Sequence, residues 1–249
     1  MSLRQFVPEE PQVVKSLLLV DGSAPEPIRN AAVELFDDQP VPVTETDIPD
    51  REDDTVLVLG EEGVLASSPL DELAEAVLLV NSDLFTTGTV GLEDVDVPAV
   101  IEGLEDVPFW LRGYPESNKE KLLLILISRL VERRAFEAGA GRLRTSFQRL
   151  SRIKDEQGTF TVYESLAQSD VDVHVYGEPD WIPSEELDVI THGGHDENFR
   201  RAWFVLFDPP SDEPLGLLAY ESEPRRWHGF YTSDPDRFGS IRDHVLAHM

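Results

Sequence analysis

AWFVLF, Ala202 to Phe207, is the stretch on which the reading of this chain turns. Six consecutive apolar residues, three of them aromatic, stand between Arg201 and Asp208. A strand covered on both faces has this composition, so the segment predicts a central strand. Downstream, Gly216 to Glu221 and Trp227 to Tyr231 are further short runs parted by turn-forming residues, which predicts an antiparallel meander. Asp234-Pro235 then predicts the start of a closing helix with Phe238, Ile241 and Val245 on one face. Upstream, VDVHVY (Val171 to Tyr176) alternates as a strand does, Leu187 to Thr191 does so more weakly, and Leu143 to Ile153 contains alternating residues. Thr159 to Ala167 reads as a helix. The simplest assembly of these pieces is an α+β fold, an antiparallel sheet flanked by helices.

The first half reads as a smaller α/β unit. SLLLV (Ser16 to Val20) predicts a strand, Asp21-Gly22-Ser23 a turn and Pro27 to Phe36 a short amphipathic helix. Val41-Pro42-Val43 predicts an edge strand, since proline gives no donor to a central ladder. Thr55 to Leu59 and Val64 to Ala66 predict a hairpin around Glu61-Glu62-Gly63. Ser68 and Pro69 predict an N-cap and first position for a helix carrying Leu70, Leu73, Ala74, Val77 and Leu78 on its buried stripe. Residues 86–109, rich in Gly, Asp and Pro, read as a long connector. A helix from about Asn118 to Ala138 follows, with Ser117 and Glu120 at capping-box spacing and Gly139 or Gly141 as terminator. Its run Leu122 to Ile127 predicts burial on every side, while Arg129 with Glu132 and Arg133 with Glu137 predict a polar face. Three units follow: an acidic module over 1–110, a connecting helix over 111–139 and the sheet domain over 140–249.

Charge sets the physical setting. The chain carries 49 acidic against 21 basic residues, a formal charge of −28, and no cysteine. Such a surface repels itself in dilute buffer, whereas at molar salt the screening length falls to about 3 Å. The composition therefore predicts a halophilic protein of the cytoplasm. MSLRQFVPEE offers no secretory signal, and Leu122 to Ile127 falls far short of a membrane span. Absence of cysteine excludes disulfides, thiol catalysis and Cys-based zinc sites. Residues 1–110 hold 25 acids and four bases, and within 112–154 eleven bases face four acids.

No phosphate loop, dinucleotide fingerprint, H-E-x-x-H or G-x-S-x-G occurs. The expectation is a protein that is not an enzyme, with no cofactor that the sequence can name. Three clusters remain. His192-Gly193-Gly194-His195-Asp196-Glu197 could ligate a metal through His192 and His195, with His174 or His228 completing the set; a solvated polar loop is the simpler reading. GRLRTSFQRLSRIK (Gly141 to Lys154) places Arg142, Arg144, Arg149 and Arg152 close together. As one long strand it would put Arg142 and Arg144 on one face, with Arg152 and Lys154 at the same parity. Such arginines could hold phosphates of a nucleotide or nucleic acid, although molar salt weakens counterion-release binding; pairing with the acidic half is the simpler account. The aromatics Trp181, Trp203, Trp227, Phe204, Phe230 and Tyr231 can wall an apolar ligand pocket or form ordinary core.

At these same residues the chain resembles a known family. FQRLSRI (Phe147 to Ile153), VHVYGEPDW (Val173 to Trp181), RAWFVLF (Arg201 to Phe207) and WHGFYTSDPDR (Trp227 to Arg237) resemble, in this order, the DICT sensory domain. SSPLDELAEAVLLVNSDLF (Ser67 to Phe85) resembles the leader half of stand-alone haloarchaeal members. The resemblance implies a signal-input module without established catalytic residues. Many such proteins carry an attached cyclase, kinase or phosphohydrolase; none is evident here, so output would pass through a partner. The expected ligand-contacting residues are Gln148, Ser151, Arg152, Gly177, Asp180, Trp203, Trp227, Gly229 and Phe230. The expected partners are a small molecule or a signalling protein; a homodimer is compatible with this reading, nucleic acid is not its leading target, and no membrane is expected as a partner.

Overall fold

The computed structural model describes residues 2–8, 14–21, 26, 29, 30, 33, 36, 39–47, 54–76, 97–112 and 120–249. Two sheets organise it. The smaller is built from β1 (Ser16–Asp21), β2 (Val43–Asp47), β3 (Thr55–Gly60) and β4 (Gly63–Pro69), in the order β2-β1-β3-β4. SLLLV is the inner strand β1, parallel to β2 and antiparallel to β3. The edge strand starts at Val43 rather than Val41, and Pro42 stays just outside it, its carbonyl accepting from the Leu17 N–H at 2.9 Å. The β3–β4 hairpin turns at Glu61-Glu62, with Gly63 at φ +126°, where a side chain would be strained. The expected turn at Asp21-Gly22-Ser23 and most of the expected helix at Pro27 to Phe36 lie outside the described residues.

Two local expectations shift. Strand β4 runs through Ser68 and Pro69, and helix α1 occupies residues 70–76, so Ser68 does not cap it. The Ser68 hydroxyl instead accepts from the Val100 N–H at 3.3 Å, serving the next helix, α2 (Ala99–Gly103), whose own N-cap Pro98 has no side chain to offer. Val77 and Leu78 fall outside the described residues. So do residues 86–96 of the expected connector; the rest of it folds into α2 and the first residue of β5 (Phe109–Arg112).

The larger sheet has seven strands in the order β5-β11-β10-β9-β6-β7-β8. Its further members are β6 (Ala140–Arg149), β7 (Asp170–Glu178), β8 (Ile190–Gly193), β9 (Ala202–Asp208), β10 (Leu215–Glu223) and β11 (Arg226–Thr232). AWFVLF is β9, the central strand, and β9-β10-β11 is the expected meander. The α+β class holds, yet the sheet is mixed: neighbours from β5 through β11, β10 and β9 to β6 pair antiparallel, whereas β6/β7 and β7/β8 are parallel. The physical reason is the crossover: α4 (Arg152–Asp155) and α5 (Gln157–Ala167) carry the chain back before β7 starts.

Helix α3 (Glu120–Ala138) and α5 cover one face of the large sheet. The short α6 (Glu197–Arg201), α7 (Pro235–His248) and a 3-10 turn at Leu3–Phe6 sit against the other, around Tyr176, Phe204, Phe230 and Phe238. Asp234 caps α7 through the Arg237 N–H at 2.8 Å, as its sequence predicts. Helix α3 is buried along its middle, with Leu124, Leu126 and Val131 at 0% exposure, and opens to solvent in its last turns at Arg134 and Glu137. Its capping Ser117 lies outside the described residues, and Gly139 closes its C-terminus with φ +60°. No described helix is long and apolar enough to cross a membrane.

One continuous core joins the two sheets, running from Leu17 and Val58 through Ile101 to Leu124 and Tyr231. Polar contacts reinforce the seam. The Gln39 side chain donates to the Trp110 carbonyl at 2.7 Å and accepts from the Trp110 N–H at 2.9 Å, so an amide stands where a further strand would pair with edge strand β5. The Tyr231 hydroxyl donates to the Ile101 carbonyl, and Lys15 to that of Glu105 at 2.5 Å.

Candidate functional site

The site begins with an irregularity in β6. Its register against β7 shifts between Ser146 and Arg149, and Gln148 sits at φ +54°, unusual for a residue with a side chain. Pairing of β6 with β9 ends at Thr145–Val205. Beyond it side chains take over: the Ser146 hydroxyl accepts from the Phe204 N–H at 2.9 Å and donates to the Ala202 carbonyl at 2.9 Å, and the Gln148 amide donates to the same carbonyl at 2.8 Å. Beside this bulge, beneath α3, lies a cleft open to solvent at its mouth and lined by residues of α3, β6, α4 and β9.

Helix α3 forms one wall. Arg129 and Glu132, read from sequence as part of a polar face, are only 6% and 3% exposed, because α3 packs against both the sheet and its neighbour α5. One Glu132 carboxylate oxygen accepts from Arg129 at 2.6 Å and the other from the Tyr163 hydroxyl at 2.7 Å. Burial, then the Glu132 charge, pushes the Tyr163 hydroxyl well above the usual tyrosine range. Arg133 and Glu137 do form the expected exposed pair at 2.8 Å. Ser128 accepts from the Trp203 indole N–H at 3.0 Å, tying α3 to β9. At the mouth, Arg152 of α4 donates to the Gln148 carbonyl oxygen.

Of the residues expected from sequence, Gln148, Arg152 and Trp203 meet in this cleft. Trp227 stands behind Trp203, ring centroids 6.1 Å apart and edge-on. The others lie elsewhere. Ser151 and Asp180 form a double hydrogen bond at 2.9 and 2.8 Å that pins the β6–α4 bend to the end of β7. Gly177 is packed against Leu150, and Gly229 against Phe109 and Ala219, where an added Cβ would come within 2.7 Å of either. Phe230 belongs to the opposite face, with the Arg237 guanidinium 4.7 Å from its ring centre. Sequence reasoning missed Ser128, Arg129, Glu132, Glu156 and Thr159. The available signal was that Ser128, Arg129 and Glu132 directly follow the apolar run Leu122 to Ile127 on the same helix.

The arginines of 142–154 are dispersed. Strand β6 ends at Arg149, so Arg152 and Lys154 lie on α4 and the strand parity does not extend to them. Arg142 pairs with Asp172 of β7 at 3.5 Å, within the same sheet rather than with the acidic half. Arg144 is 3% exposed on the other face of the sheet, and Arg149 is exposed.

The histidine loop is likewise divided. His192 accepts or donates at 2.9 Å to His174 and stacks on Tyr176 at 4.3 Å, whereas His195 reaches Glu178 at 3.5 Å. The described residues contain no group of three or more side chains placed to hold a metal. Burial, and then the nearby Arg144 charge, lowers the His174 ring to about 4, with His192 and Arg142 adding to this and Asp172 opposing. The unfolded ring takes up a proton near pH 6.5, so its contribution to stability is complete above that value and is lost as pH falls towards 4. Discounted for its partial exposure, the loss amounts to about 1–2 kcal/mol. Ring titration by NMR should place His174 near 4; a value above 6 would show that Arg144 and burial do not act on it.

The fold and cleft together define a mixed-sheet α+β domain with a recessed polar site under a buried helix. Residues 105–222 match the DICT family, described as a sensory domain in diguanylate cyclases and two-component system. The match starts at the segment carrying β5 and α3, upstream of residue 140, and ends before Trp227 to Arg237; a sensory role is thereby supported. No curated protein matches the chain. Among solved structures, polyphosphate kinase from Porphyromonas gingivalis aligns at 17% identity and a TM-score of 0.37, covering 59% of this chain and 27% of that one. The chain thus spans about a quarter of that structure.

Proposed function

We propose that this chain is a non-enzymatic cytoplasmic input module of the stand-alone haloarchaeal type, taking a small ligand into the cleft between α3, β6 and β9. The observation that carries the reading is the double role of α3. Ser128, Arg129 and Glu132 line the cleft, while Leu123 and Ile127 pack beside Phe36 and Ile101 of the first half. A ligand that shifts α3 against the sheet would therefore change its contacts with the smaller sheet, and a partner signalling protein would read that change. The phosphate-binding alternative has less support, because Arg142, Arg144, Arg149 and Arg152 do not converge.

The test is purification in molar KCl without affinity-tag metals, followed by native and denaturing mass spectrometry after exchange into a volatile salt. A small molecule lost from Trp203→Ala protein supports the cleft. An additional mass retained by that variant, or a stoichiometric metal, would place the site elsewhere.

A further inference from the structure

Most arginine pairs in this acidic chain follow its charge balance: Arg142 has Asp172, Arg200 has Glu178, Arg237 has Asp106 and Arg242 has Asp208. Arg144, Arg149 and Arg152 form no such pair among the described residues, and of these three only Arg152, partly buried, lines the cleft. Its hydrogen bond goes to the neutral Gln148 side chain, leaving most of its five N–H groups for another acceptor. Gln148 in turn is fixed by its bond to the Ala202 carbonyl, so the guanidinium is held from behind.

We infer that the cleft ligand is a small organic carboxylate whose anionic head is held by Arg152 and whose flat apolar body lies against Trp203 and Phe147. This rests on the cleft reading above and names its ligand class. Burial leaves the Arg152 guanidinium short of solvation and lowers its pKa, with Glu156 opposing that effect and exposed Arg149 adding to it; Glu221 and Asp180 also oppose it at longer range. A bound carboxylate supplies the missing counter-charge through paired N–H donors, the geometry in which a guanidinium binds best. Elsewhere in the cleft the carboxylates are engaged: Glu132 by Arg129 and Tyr163, and Glu156 by the Thr159 hydroxyl at 3.3 Å. Trp203 has its indole N–H committed to Ser128, so its remaining offering is its ring. Of the two arginines in the cleft, Arg129 is committed to Glu132 and Arg152 has no carboxylate, and Phe147, Trp203 and Val205 supply apolar surface beside it, which suits an amphiphilic monoanion better than a polyphosphate.

The experiment uses benzoate and phenylacetate as probes, each beside its neutral amide, titrated at millimolar concentration into the full-length protein in molar KCl. Calorimetry gives affinity, and Trp203→Phe protein reports whether tryptophan fluorescence changes arise in the cleft. The expected result is at least about tenfold tighter binding of a carboxylate than of its amide, with Arg152→Gln removing that difference. Amides binding as tightly, or carboxylate affinity unchanged in Arg152→Gln, would overturn the carboxylate inference while leaving the cleft reading intact. If neither member of either pair binds, the inference falls, and the co-purification experiment decides the cleft reading separately. Thermal melting of Arg152→Gln alone confirms that the variant folds.

Discussion

Glu132→Ala is expected to lower folding stability by about 3–5 kcal/mol, the usual cost of removing one partner from a buried ion pair. Glu132 is 3% exposed, and each of its oxygens has a separate donor, one on Arg129 and one on Tyr163. Truncation removes the Glu132 charge from buried Arg129, while the wholly buried Tyr163 loses the acceptor for its hydroxyl. Leaving such groups unmatched costs more than the native interaction contributes. Urea denaturation at constant high salt measures the loss, and a change below about 1 kcal/mol would mean that the pair is solvated. An Arg129→Met, Glu132→Leu double variant should recover part of the loss, since it removes both charges together. The effect concerns function as well as stability, because the same three side chains brace the α3 wall of the cleft.

The second large effect is that of salt. A chain with 49 acids and 21 bases places most of its excess charge on the surface, where neighbouring carboxylates repel one another. Raising ionic strength from about 0.1 M to 1 M shortens the screening length from about 10 Å to about 3 Å. The melting temperature in KCl should therefore rise by on the order of 10 °C, equivalent to a few kcal/mol for a chain of this size. Circular dichroism across a KCl series gives the curve. Sucrose separates screening from general solute exclusion: if it stabilises as strongly as KCl, or the melting temperature stays flat, charge repulsion is not the governing term.

Much of the fold could be read along the chain because it rests on local chemistry. AWFVLF has no polar residue to turn towards water, so it becomes the central strand β9. Asp234-Pro235 carries both a capping oxygen and a fixed φ, and α7 begins there. Where a residue had two local uses, neighbours chose between them. Ser68 looks like a cap for the helix after it, yet β4 extends past it and its hydroxyl meets Val100, 32 residues on. Arg129 and Glu132 have the spacing of a surface pair, and only the packing of α3 against both the sheet and α5 makes them interior.

The site was legible in part for the same reason. Gln148, Arg152 and Trp203 stand in motif segments and meet in the cleft, but Gly229 and Phe230 share such a segment and serve the packing of β11 instead. Residue type and spacing by themselves determined the α+β class, the strands that are apolar throughout, the capped ends of helices and the charge the surface must carry. Tertiary structure alone decided that the sheet is mixed, that β6 breaks at Gln148 and that Arg152 reaches the cleft without a carboxylate partner. Those outcomes depend on which distant backbone groups are left to be satisfied, and no local pattern encodes that.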